Sequence, residues 1–467
     1  MNQNERPLVE ALENHMNQKP VSFHVPGHKN GLVGKVAGHF GAWDQTEISG
    51  LDDLHAPDGP IAKAQELLAM HAGAFKSYFL VNGSTTGNLA MVMGLCEPGS
   101  HLIVAGNAHK SVMNACRLAR VKPVFLTPEV HTESMTPSGI SPDLLKKAVG
   151  EFPDATAVLL TYPSYYGHTG QMKEVIQQAK SLGLTVLVDE AHGAHFSLPG
   201  LPDSSLKMGA DVVVQSAHKT LPALTMGSYL HIRNDQIRHL KVEQLLRMLQ
   251  SSSPSYPVMA SLDDARHYAA TYSKKDAAFF KMKRAALITR LRDIPRLKVI
   301  EPEDPLKLLI RIDGMSGPDV QAACEERGIY AELADPLQVL WMLPLLKVDD
   351  EVEWDCIIES LSEIAGTAEW KEQREISASF TEEITILSMQ DTDQLPSIAV
   401  SIDQAVGKIA AETMIPYPPG IPLVIAGETL TQKKLSYLKE LAAHVRFQGG
   451  AHLIDGKIMI IEGEVHE

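Results

Sequence analysis

The chain has 467 residues, a formal net charge of −15, and 44% hydrophobic against 21% charged residues. Those values describe a folded protein of two or three domains with a large core, and they exclude a disordered chain. The acidic excess argues against a nucleic-acid partner, because phosphate binding relies on clustered Lys and Arg. No apolar run of about 18 residues marks a membrane span, and the polar amino terminus lacks the apolar core of a signal peptide, so the expected location is the cytoplasm. Four scattered cysteines, Cys96, Cys116, Cys324 and Cys356, form no CxxC pair and indicate neither zinc nor a disulfide framework.

Residues 1–20 read as a short helix with apolar positions at Leu8, Ala11, Leu12 and Met16, closed by Pro20. The Gly- and His-rich stretch that follows holds His24, His28 and His39, which lack the fixed spacing of metal ligands, so no metal is expected. Asp52, Asp53, His55 and Asp58 precede an amphipathic helix over Ile61–Ala74. Those acids either begin that helix, since carboxylates favour helix amino termini, or face a substrate.

Tyr78–Val81 reads as a strand ending at NGSTTGN, which leads into a helix over Leu89–Leu95. Glycine and hydroxyl residues between strand and helix suit an anion, held by free N–H groups and the helix dipole. The P-loop lysine is absent, which disfavours nucleotide binding. His101–Val104 is a further strand with Asn107-Ala108-His109 at its carboxyl end. Val121–Leu126 and Ala157–Leu160 continue the alternation that indicates a parallel sheet, the latter leading to Tyr162, Tyr165 and Tyr166 as possible cofactor neighbours.

The stretch Thr185–Tyr229 carries the chemistry. Two β-branched runs, Thr185–Val188 and Asp211–Val214, suit buried parallel strands. The first delivers Asp189 and His192, and the second delivers Ser216, His218 and Lys219. If both lie in one sheet, their carboxyl ends open onto one crevice. A lysine placed there beside a carboxylate and a hydroxyl fits a Schiff-base lysine for pyridoxal phosphate. Asp189-Glu190-Ala191-His192 also mimics a helicase DEAH box, but the chain has no Walker A and no basic stripe.

These segments, together with FHVPGHKNG (Phe23–Gly31), LDDLHAPDG (Leu51–Gly59), NAHKS (Asn107–Ser111) and YPPGIP (Tyr417–Pro422), resemble the group III pyridoxal-phosphate decarboxylases of ornithine, lysine and arginine, the Orn/Lys/Arg decarboxylase class-I family. The resemblance implies a fold-type I architecture: an α/β large domain with a mostly parallel sheet, a small α+β domain and a carboxyl-terminal region. It implies that Lys219 holds the cofactor aldehyde, that Asp189 pairs with the pyridine nitrogen and that His109 stacks on the ring. Ser84, Thr85, Ser216 and His218 would lie on the phosphate side, with His192 beside the cofactor. It further implies a homodimer or dimer-based assembly. Residues near Phe23 would then cross the dimer interface, and Ser252 or Ser253 would reach the phosphate of the neighbouring subunit.

The expected division is an arm over 1–50, a cofactor-binding domain over 51–265, a small domain over 266–380 and a carboxyl-terminal domain over 381–467, with a helix-prone region after Tyr229 and a linker near 366–382. The expected reaction is α-decarboxylation of a basic amino acid, arginine favoured over lysine and ornithine, feeding polyamine synthesis. Asp53, Glu332, Asp335 and Glu428 are the candidate acids for the cationic side chain. Another lyase or aminotransferase reaction on the same scaffold, and a non-catalytic cofactor-binding protein, stay open at this point.

Overall fold

The computed structural model describes residues 51–367, 395–416, 422–442 and 446–462, the strand Ile384–Ile386, and scattered positions before residue 51: Lys19, Val21–Phe23, Gly27, Lys29, Val33, Gly34, Thr46 and Glu47. The expected first helix apart from Lys19, His24, His28, His39, most of the 366–382 linker and residues 417–421 lie outside the described residues.

The β-branched and aromatic runs form the strands of one large sheet. They are β2 (Lys76–Leu80), β3 (His101–Ala105), β4 (Lys122–Leu126), β5 (Ala157–Thr161), β6 (Thr185–Asp189), β7 (Val212–Gln215) and β8 (Ser228–Ile232). Their spatial order is β4-β3-β5-β6-β7-β8-β2. The run from β4 to β7 is parallel, and β8 lies antiparallel between β7 and β2. Helices cover both faces, which explains why these strands read as nearly unbroken apolar runs.

The helix-prone region after Tyr229 holds a helix over His239–Leu249. The strand β8 ahead of it is buried in all five residues and paired on both edges, a context that the local pattern does not report. A strand over Ile384–Ile386 pairs antiparallel with β4 and so extends the large sheet from the carboxyl-terminal region.

Helix α1 (Pro60–Ala72) precedes β2, and α2 (Gly83–Leu95) follows it. A Cβ added at Gly87 of α2 would lie 2.8 Å from a Val214 methyl and 2.9 Å from a Leu80 methyl. Glycine there lets α2 sit directly on β7 and β2, with its first turn over their carboxyl ends.

Helices α3 (Tyr256–Ala270) and α4 (Lys274–Arg292) lead out of the large domain. Phe280 of α4 packs in the large-domain core, whereas Leu287, Ile288 and Leu291 pack in the next one. The small domain is a four-stranded antiparallel sheet of β9 (Leu297–Ile300), β10 (Lys307–Ile312), β12 (Leu333–Ala334) and β13 (Val339–Met342), in the order β9-β10-β13-β12. The early strand β1 (Val21–Phe23) pairs parallel with β11 (Ile329–Ala331). Phe23 stacks on Trp341 at 4.2 Å between centroids and 3° between planes, a contact worth about 1 kcal/mol beyond its buried area. A separate core of Ile402, Met414, Leu435 and Ile458 holds the carboxyl-terminal module.

Candidate active site

Register brings the two chemical ends together. Asp189, the last residue of β6, pairs with Thr161 on one side and Val214 on the other. One strand over, β7 stops at Gln215, and Ser216 opens the single helical turn Ala217–Thr220 that carries Lys219. Lys219 Nζ lies 3.0 Å from His192 Nε2. Burial lowers the Lys219 pKa, against the opposing pull of Asp189 and Glu332. His192 is held well below the usual imidazole range, first by burial and then by the Lys219 charge.

Asp189 is 3% exposed. Burial raises its pKa, while Lys219, the Asn88 amide and the Ala191 N–H oppose that rise. Asn88 Nδ2 donates to Asp189 Oδ2 at 2.8 Å and to Ser111 Oγ at 2.9 Å. Ser111 Oγ lies 2.8 Å from His109 Nδ1, and Ser111 N donates to that same nitrogen at 3.2 Å. His109 is thus both the cap of the helix α5 over Lys110–Ala119 and the far end of a chain starting at Asp189.

Ser84 and Thr85 lie in the first turn of α2, whose Asn82 cap makes no side-chain hydrogen bond. Ser84 is half-buried and Thr85 exposed. Ser216 is fully buried, yet its hydroxyl has no hydrogen-bond partner among the described residues. His218 Nδ1 donates to the Gly227 carbonyl at 3.1 Å. Ser252 and Ser253 are exposed.

Of the four candidate acids, Glu332 is the one tied to this cluster. It accepts from the Tyr165 hydroxyl, and the Tyr165 ring meets His192 edge-on at 4.4 Å with Lys219 Nζ 5.9 Å from its centroid. Asp335 caps its own turn, accepting from Leu337 N, Gln338 N and Gln338 Nε2. Glu428 is buried in the carboxyl-terminal module and accepts from Lys434 at 2.6 Å. Asp53 accepts from His55 N. Its neighbour Asp52 accepts from five backbone N–H groups, of Asp53, Asp58, Gly59, Ile61 and Ala62. For Asp52 the helix-starting alternative is therefore the observed one.

Sequence reasoning missed Asn88, Ser111, Lys29 and Lys307. Lys307 is fully buried, donates to the Tyr165 carbonyl at 2.7 Å and lies 3.9 Å from Asp304 Oδ2. Asp304 in turn accepts from buried His195 at 2.8 Å. Burial pulls the Lys307 pKa down to about 8, and Lys29, beside Glu332, falls to about 8 for the same reason. A lysine inside the apolar run KLLIRI was the available signal, since a buried lysine requires partners. In the arm, Val21–Phe23 pairs with β11, and Gly27 N donates to the His218 carbonyl.

A sheet of this order, with lysine and aspartate at the ends of adjacent parallel strands, is the fold-type I architecture of pyridoxal-phosphate enzymes. More narrowly, the chain belongs to the Orn/Lys/Arg decarboxylase family: residues 6–303 match its major domain and residues 390–464 its carboxyl-terminal domain. It is 42% identical to the uncharacterized protein YaaO of Bacillus subtilis (strain 168), across 97% of this chain and 98% of that one. It is 34% identical to the arginine decarboxylase of the same organism, across 96% of each. The constitutive lysine decarboxylase structure from E. coli superimposes with a TM-score of 0.71 at 19% identity, covering 98% of this chain and 82% of that one.

Proposed function

We propose that this protein uses pyridoxal phosphate to decarboxylate a basic amino acid, with arginine favoured and lysine and ornithine next. The observation that carries the reading is the placement of Lys219 and Asp189 at the ends of neighbouring strands, with Glu332 attached to the same cluster through Tyr165. The relatives named arginine decarboxylase support the substrate order.

The residues present fit the cofactor. The buried Ser216 hydroxyl lacks a partner among the described residues, and the first turn of a helix offers free N–H groups to a phosphate, as α2 would here. Asp189 is a buried carboxylate suited to a protonated pyridine nitrogen. Lys219 would hold the aldehyde, and His109 would lie against the ring. When bound, pyridoxal phosphate supplies an electron sink for the pair left behind as carbon dioxide departs.

The chain's own groups would do the rest. Asp189 keeps a negative charge where positive charge must persist, a preorganised effect worth a few kcal/mol. Burial lowers the Lys219 pKa, which favours the free amine that exchanges with a substrate amine. His192 Nε2, at hydrogen-bond distance from Lys219 Nζ, can take and return its proton. Glu332, held by Tyr165, would receive the cationic end of the substrate, and a guanidinium could engage both of its oxygens.

The reading extends to a homodimer in the cytoplasm that supplies polyamine precursors. No described helix is long and apolar enough to cross a membrane. The test is incubation of the purified protein and cofactor with arginine, lysine and ornithine, with chromatography for agmatine, cadaverine and putrescine. Formation of an oxo acid in place of any amine would overturn decarboxylation.

A further inference from the structure

The structure assigns Asn88 and Ser111 as positioning residues that hold His109 in one neutral form, with its proton on Nε2. The inference rests on the reading above only in giving His109 a cofactor ring to face. The hydrogen-bond directions come from the chain itself.

A backbone N–H can only donate, so Ser111 N, at 3.2 Å, makes His109 Nδ1 an acceptor. The side chains require the same. Asp189, as a carboxylate, only accepts, which turns the Asn88 nitrogen toward it. The second hydrogen of that amide goes to Ser111 Oγ at 2.9 Å. With its oxygen receiving, the Ser111 hydroxyl points its own hydrogen at His109 Nδ1, 2.8 Å away. Two donors thus converge on Nδ1, and the neutral ring must carry its hydrogen on Nε2.

A proton added at Nδ1 would meet both of those donors head-on. Lys219 and Lys110 are the charged groups that bear on the ring, and both repel a second charge. With burial as the larger cause, they bring the His109 pKa down to about 3. His109 is therefore an uncharged ring with a single N–H donor. His192 differs from it in facing Lys219 Nζ directly, at 3.0 Å from Nε2. Asn88 links the two groups assigned to opposite roles at the cofactor, Asp189 and His109, through a single amide.

The test is solid-state NMR of the full-length chain carrying 13C,15N-labelled histidine, recorded at neutral pH with and without pyridoxal phosphate. The His109 signals are those missing from His109→Gln. The expected spectrum correlates Cγ with an unprotonated Nδ1 and shows a protonated Nε2. Ser111→Ala removes one of the two donors. Asn88→Asp draws the Ser111 hydroxyl toward the new carboxylate while leaving Ser111 in place. Each should let a second His109 tautomer appear beside the first, which the Ser111 N–H still favours, in a chain whose circular dichroism is unchanged. A protonated Nδ1 in the unaltered protein, or one tautomer surviving both substitutions, overturns the assignment. Because the signal is read without cofactor too, a chain that binds no pyridoxal phosphate would remove the proposed function and leave this result to stand on its own.

Discussion

Lys219 Nζ and His192 Nε2 face each other across 3.0 Å, one from the turn after β7 and the other from the turn after β6. Both are pushed toward their uncharged forms by burial. At this distance the amine and the imidazole can share one hydrogen, whereas two cations there would repel.

Lys219→Ala should abolish the absorbance band that cofactor addition produces and lower turnover by at least about 1,000-fold. Spectra and product formation check both parts. Full turnover in that variant would remove Lys219 from the chemistry.

Asp189→Asn keeps the Asn88 contact in shape but removes the charge. The rate should drop about 100- to 1,000-fold, the size of one lost preorganised electrostatic contact. Cofactor should still bind, which equilibrium dialysis can establish.

Glu332→Gln should raise KM for a basic substrate about ten- to 100-fold, with a smaller change in kcat, because a charge-assisted hydrogen bond is worth about 1.5–3 kcal/mol. Tyr165→Phe frees Glu332 from its tether and should give a milder rise. Steady-state kinetics on arginine and lysine would read both.

Lys307→Met leaves Asp304 buried with His195 and without its lysine. The loss should be about 3 kcal/mol, typical of a broken buried pair. Urea unfolding followed by tryptophan fluorescence reports it, since Trp341 and Trp354 lie in the small-domain core.

Glu190 offers a pH test. It is fully buried, and burial moves its carboxyl from 4.5 up to about 7, although Ser205 and Gln215 donate to it. Between those values the folded chain holds a proton that the unfolded chain has released, so stability falls as pH rises. The relative stabilisation is full below pH 4.5 and gone above about pH 7. Glu190→Gln should remove that slope, which denaturant midpoints across the window would show.

Most of the large sheet was legible because its strands are buried on both faces and end in turn residues. The 101–104, 185–188 and 211–214 runs lie within a residue of β3, β6 and β7. What stayed hidden depends on partners distant in sequence. The strand β8 is made by pairing on both edges, Ile384–Ile386 by the open edge of β4, and Lys307 by carbonyls 142 and 143 positions away. The charges of Asp335 and Glu428 were visible, but the neighbours that engage them were not.

The pairing of β1 with β11 has a temporal consequence. Val21–Phe23 is made about three hundred codons before its partner Ile329–Ala331. Gly27, a few residues further on, donates to the carbonyl of His218, next to Lys219. The nascent chain must therefore hold β1 without its strand partner across that stretch of translation, whereas Gly27 can dock once the segment around His218 has emerged.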